Sequence, residues 1–277
     1  MKSRVKNIAA GIGYFALFFG VNLMVSFVVE FIYGFKAGLE MALTSGVFDE
    51  QAFMEGLMEF VNKYSTLMTM AYQILALGII WLIFKLRKKK FHQEVTFIAF
   101  DKKSIVPILI MGVAVQFFVS YAMELLPIPE DMMNAYVQAS SPLLQDQNLL
   151  IQIVALAVVA PIAEEIVFRG LILSRFKKAM PTVLAIVLSS VLFGLIHLQF
   201  LWIIYAALMG ILLAVVAEQE KSIGASILLH MAINFSALFV ELILVQGIVM
   251  GVVCVVAFVI IAVTLYTIVK KQSLKTV

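Results

Sequence analysis

Long apolar runs separated by charged segments constrain the fold of this chain more than any other feature. A helix of about 20 mostly apolar residues crosses the hydrocarbon core of a bilayer, and eight stretches fit this description. They lie at about residues 8–33, 65–86, 105–126, 149–178, 182–202, 203–216, 223–245 and 247–269. Apolar residues make up 63% of the 277 positions and charged residues 13%, too little polar surface for a water-soluble globule. The sequence therefore predicts an all-α, polytopic membrane helix bundle of about eight spans, forming a single integral membrane domain over residues 1–277.

Lys and Arg residues alternate with acidic residues in the loops between these spans. Basic clusters precede the first span, separate the second from the third and the fourth from the fifth, and end the chain. Because cytoplasmic loops carry an excess of Lys and Arg, this pattern predicts a multi-pass protein of the cell membrane with both termini cytoplasmic. The net charge of +3 is too small for nucleic-acid binding. The single cysteine, Cys254, excludes an internal disulfide framework.

The loop between the first two spans has a pattern of its own. From Phe48 to Tyr64, aromatic and aliphatic residues recur at helical spacing. The spacing predicts either an interfacial helix or an extension of the second span.

A few polar residues lie well inside the spans, where ionisable groups are costly and mark functional sites by default. The fourth span carries acidic and basic groups, and the fifth and seventh carry two of the three histidines of the chain. The set comprises Glu164, Glu165, Arg169, His197, His230 and Asn234.

Helical spacing indicates which of these residues lie on the same face of a helix and at the same depth in the membrane. Residues four apart share a helix face, so Glu165 is expected to pair with Arg169, and His230 lies on the same face as Asn234. Glu164 points about 100° away from Glu165 and has no charged partner on its own helix. At a rise of about 1.5 Å per residue, Glu164 and His197 fall at the same membrane depth as the residues of the seventh span. We therefore expect a catalytic cavity between spans four, five and seven.

This combination of groups suits hydrolysis of a peptide bond. A glutamate with a histidine can deprotonate a water molecule and reprotonate the leaving amine, while a second histidine and an amide can stabilise an oxyanion. Glu164, His197 and His230 are equally a ligand set for a zinc ion, although no H-E-x-x-H motif is present. Ser226 lies one turn before His230, but that helix offers only Asn234, and no acid, to orient the histidine, which disfavours a serine nucleophile.

The same residues resemble the motifs of a known family. Glu164 to Arg169 match E-E-x-x-x-R, Phe193 to His197 match F-x-x-x-H, and His230 to Asn234 match H-x-x-x-N. These motifs are similar to those of the CPBP family of intramembrane proteases, also called the CAAX protease and bacteriocin-processing (Abi) family. The resemblance covers residues 161–235, the family's core.

The resemblance implies a role for each motif residue. Glu164 and His197 would activate water, His230 and Asn234 would form the oxyanion hole, and Glu165 with Arg169 would support the site. It implies an endopeptidase of glutamic type without a cofactor, although the family was long labelled metalloprotease; the residues alone leave zinc open.

The resemblance also implies a class of substrate. This is a membrane-associated peptide or protein of prenylated or of bacteriocin or pheromone type. Two alternatives from other classes are a non-catalytic scaffold or immunity protein and an ion-coupled transporter. The oligomeric state is not encoded in any pattern of the sequence.

Overall fold

The computed structural model describes residues 2–44, 47–95, 99–144, 148–240 and 248–273, and within these ranges it contains helices and no strand. The main helices are α1 (Lys2–Thr44), α2 (Glu50–Leu86), α3 (Ile105–Leu125), α4 (Glu130–Leu144), α5 (Leu149–Lys177), α6 (Thr182–Leu195), α7 (Phe200–Glu220), α8 (Ile223–Ala237) and α9 (Ile248–Ser273). Six of them, α1, α2, α3, α5, α7 and α9, are long and apolar enough to cross a membrane, and α6 and α8 are shorter apolar helices. Each predicted span thus corresponds to an apolar helix, and the prediction of a polytopic helical membrane protein is confirmed.

The segment from Phe48 to Tyr64 is an extension of the second span. Helix α2 begins at Glu50, after Asp49, whose carboxylate accepts a hydrogen bond from the Ala52 N–H at 3.0 Å. The extension packs against the long helix α1, where the Phe60 ring stacks on Tyr33 with 4.4 Å between centroids. The two helices therefore form one long antiparallel hairpin.

The predicted boundary between the fifth and sixth spans is wrong. Helix α6 ends at Leu195, and α7 begins at Phe200, so Trp202 belongs to α7. The backbone turns at Leu198, which has a left-handed φ of 62°, a conformation that ends a right-handed helix. The Gln199 side chain then caps α7 by accepting a hydrogen bond from the Trp202 N–H at 2.8 Å. As a result the sixth span has 21 residues instead of being short.

Two further differences from the prediction concern the end of α8 and an additional helix, α4. Helix α8 ends at Ala237, whereas the seventh span was expected to continue to about Val245, which lies outside the described residues. Helix α4 was not predicted. It packs on α2 and α7, with the Ser65 hydroxyl donating to the Pro142 carbonyl at 3.0 Å and the Tyr136 ring edge-on to Trp202.

Helix α5 lies at the centre of the bundle. It is not α-helical throughout, because residues Ile153–Val159 and Ile166–Leu173 form π-helical stretches. All eight residues of the second stretch are buried, against α1, α6 and α8. Helix α5 therefore carries its acidic pair into the protein interior, away from lipid.

Candidate active site

A buried ion pair lies at the centre of the site. The Arg169 guanidinium donates to Glu165 Oε1 at 2.7 Å, as the four-residue spacing predicts, and to the Gly210 carbonyl of α7 at 2.9 Å. The same Glu165 oxygen lies 3.1 Å from His230 Nδ1. Because a carboxylate oxygen that already accepts from arginine can only accept again, His230 carries a proton on Nδ1. Glu165 therefore orients both the arginine and the histidine of the third motif.

Glu164 has partners on other helices, in keeping with the expectation that its own helix supplies none. Its Oε1 accepts a hydrogen bond from Gln73 Nε2 of α2 at 2.9 Å. Its Oε2 lies 3.8 Å from His230 Nε2. The two oxygens of this buried carboxylate thus have different neighbours: an amide donor holds one, and the other faces an imidazole.

His197 lies two residues beyond the end of α6, and its Nδ1 makes the hydrogen bonds seen among the described residues. Its Nδ1 is 3.2 Å from the Phe193 carbonyl and 3.3 Å from the Gly194 carbonyl. Carbonyl oxygens only accept, so Nδ1 carries the proton and Nε2 keeps a lone pair. Among the described residues His197 has no hydrogen bond to Glu164. The ring also contacts Trp202, 5.0 Å away between centroids.

Phe193 joins the two imidazoles and the ion pair. Its ring lies edge-on to His197 at 5.5 Å and to His230 at 5.7 Å. The Arg169 guanidinium lies over the same ring, 4.6 Å from its centre, a cation–π contact that is strongest in a dry interior. The first residue of the second motif is therefore a packing residue that fixes the positions of three polar groups.

Asn234 lies one turn beyond His230 on α8. Its Nδ2 donates to the Leu156 carbonyl at 2.8 Å, within the first π-helical stretch of α5. An amide has two N–H groups, so one remains for another acceptor. Ser226, considered above as a nucleophile, donates instead to the Ile223 carbonyl of its own helix at 3.0 Å and is fully buried.

The site residues differ in how deeply they are buried. Glu164, Glu165, Arg169 and His230 are buried, while His197 and Asn234 are half-buried. An apolar groove of about 260 Å³ runs between α3, α5 and α8, and none of the six motif residues lines it. Its lining includes Val113, Ala157, Met231 and Phe235. The predicted cavity between spans four, five and seven is thus a tightly packed cluster, and open space lies on the α3 side of α8.

The candidate zinc ligands Glu164, His197 and His230 do not converge on one point in this structure. Within the part of the chain that the structure describes, no three His, Cys, Asp or Glu side chains converge as metal ligands. Zinc requires nitrogen and oxygen ligands at about 2.0–2.2 Å around one point.

One segment of the chain matches a known protein family. Residues 146–236 match the family described as type II CAAX prenyl endopeptidase Rce1-like. The match covers 91 of the 277 residues, so it is a likeness of this segment. The match includes all three motifs, and it supports an intramembrane endopeptidase. Searches of curated proteins and of solved structures found no match.

Sequence reasoning missed one polar residue of the site, Gln73, which lies outside the Rce1-like segment. It is fully buried in α2 and touches Glu164 directly. A search restricted to ionisable residues passes over an amide in a predicted span. The signal was present nonetheless, since Gln73 is the most polar side chain in the middle of that span.

Proposed function

We propose that this chain hydrolyses a peptide bond of a membrane-associated substrate with water activated by Glu164. The observation that carries the proposal is the 3.8 Å separation between Glu164 Oε2 and His230 Nε2. A water molecule about 2.8 Å from both atoms would make hydrogen bonds of ordinary length to each, at an angle of about 85° between them. The carboxylate then takes a proton as the water oxygen attacks the carbonyl carbon.

His230 and Asn234 stabilise the oxyanion in this proposal. His230 Nδ1–H donates to Glu165, so donation to an oxyanion from Nε2 requires the imidazolium form. That form brings the net charge of Glu164, Glu165, Arg169 and His230 to zero, which suits a buried cluster. The second N–H of Asn234 supplies the other donor.

His197 returns the proton in the final step. Its unprotonated Nε2 accepts the proton that Glu164 removed from water and delivers it to the leaving amine. The C–N bond breaks as the amine takes this proton, and the second proton of the water passes from the new carboxylic acid to the amine, so that the products are a carboxylate and an ammonium group. The half-buried position of His197 supports this role, because the amine must leave the site.

The family supports a substrate that is anchored in lipid, whether prenylated or of bacteriocin or pheromone type. The apolar groove between α3, α5 and α8 suits the apolar anchor of such a peptide. No cofactor is needed in this proposal, and the partners are the peptide and the bilayer. Both termini lie on the cytoplasmic side in the topology that the Lys and Arg clusters favour; reporter fusions to each terminus test it.

The test is a cleavage assay with the full-length protein in nanodiscs. Fluorogenic peptides with a prenyl anchor and with an apolar helical anchor are compared for wild type, Glu164→Gln and Glu124→Gln. Glu124 is an exposed carboxylate at the end of α3 and serves as the matched control. Loss of a general base typically lowers the rate by about 10²–10⁴-fold, so Glu164→Gln should be nearly inactive and Glu124→Gln fully active.

Three results would contradict the proposal. Near-normal turnover by folded Glu164→Gln would remove Glu164 as the base. Binding of peptides without cleavage by wild type would favour the scaffold or immunity protein. Inactivation by zinc chelators, reversed by zinc, would favour the metal-dependent mechanism.

A further inference from the structure

Helix α2 contributes a polar side chain to a site whose motifs all lie elsewhere in the chain. Gln73 is completely buried, 91 residues before Glu164, and outside the segment that matches the Rce1-like family. Most neighbours of Gln73 along α2 that are buried are apolar, such as Ala76 and Ile80. An amide in such a position requires an explanation, because burying polar groups costs free energy.

The two N–H groups of Gln73 are both in use. Nε2 lies 2.9 Å from Glu164 Oε1 and 3.0 Å from the Tyr72 hydroxyl oxygen. A carboxylate only accepts, so the amide nitrogen must face Glu164 while Glu164 is ionised. Rotating the amide by 180° would place two acceptors against each other.

The carbonyl end of the same amide has no partner. Gln73 Oε1 is buried and has no hydrogen-bond partner among the described residues. An unsatisfied buried acceptor is unfavourable for the fold. A residue selected only to stabilise the contact between α2 and α5 would not leave its carbonyl in this state, so the contact with Glu164 is the feature that accounts for the amide.

We propose that Gln73 is a positioning residue for Glu164, holding Oε1 so that Oε2 is directed toward the attacking water and His230. This inference rests on the proposed function of Glu164. The hydrogen bond divides the carboxylate into a fixed oxygen and a reactive one. Without it the carboxylate can rotate, and only part of its population presents an oxygen in the reactive direction.

The test separates positioning from structure. Gln73→Met keeps the length of the side chain but removes the donors and the unpaired carbonyl, and Gln73→Asn keeps the amide but shortens its reach by one methylene. Both variants should lower kcat about 10- to 100-fold, the range for loss of a hydrogen bond to a charged group, with KM unchanged. The unfolding temperature of Gln73→Met should stay close to that of wild type, because loss of the hydrogen bond to Glu164 is offset by removal of the unpaired buried carbonyl.

Thr66→Val is the matched control. Thr66 is also a buried polar residue of α2, and its hydroxyl donates to the Leu143 carbonyl of α4 at 3.3 Å. This variant should lose a little stability and keep its kcat. Gln73→Met should instead lose kcat and keep its stability, a result that a purely structural residue would not produce.

The outcomes distinguish this inference from the proposed function. If wild type cleaves and Glu164→Gln does not, the proposed function stands, and full kcat in Gln73→Met or in Gln73→Asn then overturns the inference alone. Failure of both Gln73 variants to fold would assign the residue a structural role and also overturn it. If wild type does not cleave, or if Glu164→Gln remains active, the proposed function and the inference fall together.

Discussion

The buried pair of Glu165 and Arg169 allows a prediction of its coupling free energy. Glu165→Gln would remove the negative charge paired with the guanidinium and leave it neutral acceptors such as the Gly210 carbonyl beside the Phe193 ring, and an uncompensated buried charge costs about 3–5 kcal/mol. Arg169→Met should cost about 3 kcal/mol, the lower end of that range, because His230 remains beside the carboxylate. The double variant removes both charges, so we expect it to lose about 2–3 kcal/mol less than the sum of the single variants.

The measurement is equilibrium unfolding in mixed micelles for wild type, the two single variants and the double variant. A second cycle on the surface pair of Lys177 and Glu218, whose side chains are 35% and 28% exposed, is the control. Its coupling should stay below about 1 kcal/mol. Additive losses in the buried cycle, within about 0.5 kcal/mol, would refute the pairing, and Glu165 would then become a candidate for the base itself.

Three further predictions concern the helices around the site. Asn234→Ala should lower kcat by about 10²–10³-fold with little change in KM, the usual effect of removing an oxyanion donor; a change confined to KM in steady-state kinetics would contradict the role. Leu198→Gly should leave the free energy of unfolding unchanged or raise it by up to about 1 kcal/mol, because Leu198 is exposed and its φ of 62° is strained for any residue with a Cβ. A fall of more than that in chemical unfolding would contradict the strain argument. Gly194→Ala should destabilise the hairpin of α6 and α7, because an added Cβ would lie 2.5 Å from the Ile203 carbonyl oxygen. An unfolding temperature equal to that of wild type would contradict this prediction, since it would mean that the two helices move apart with no loss of stability.

Contacts within one helix were predictable from the sequence, and contacts between helices were not. The Glu165–Arg169 pair follows from a four-residue spacing and needs no knowledge of the bundle. The hydrogen bond from Gln73 to Glu164 joins residues 91 positions apart, and no periodicity in either helix specifies it. The end of α6 depends on one left-handed residue, Leu198, whose type gives no signal of a turn.

The spans themselves were predictable because hydrophobicity over about 20 residues is a strong signal. The lengths of the spans were not predictable, because the residues before and after the turn at Leu198, Trp202 among them, are similarly apolar. The π-helical stretches of α5 were also not predictable. Wheel geometry assumes α-helical hydrogen bonds throughout, whereas Ile153–Val159 and Ile166–Leu173 have a wider repeat.

The short helix α6 has a consequence for the surrounding lipid. Most residues of α8 are buried, whereas α6 exposes apolar residues such as Val183, Leu184 and Val191. With 14 residues, α6 is about 21 Å long, against a hydrocarbon thickness of about 30 Å. Thinning of the adjacent bilayer relieves such a hydrophobic mismatch at a cost of fractions of a kcal/mol per Å. His197 lies two residues beyond the end of α6, so under the proposed function the length of the lipid acyl chains is expected to influence how easily a peptide reaches this residue.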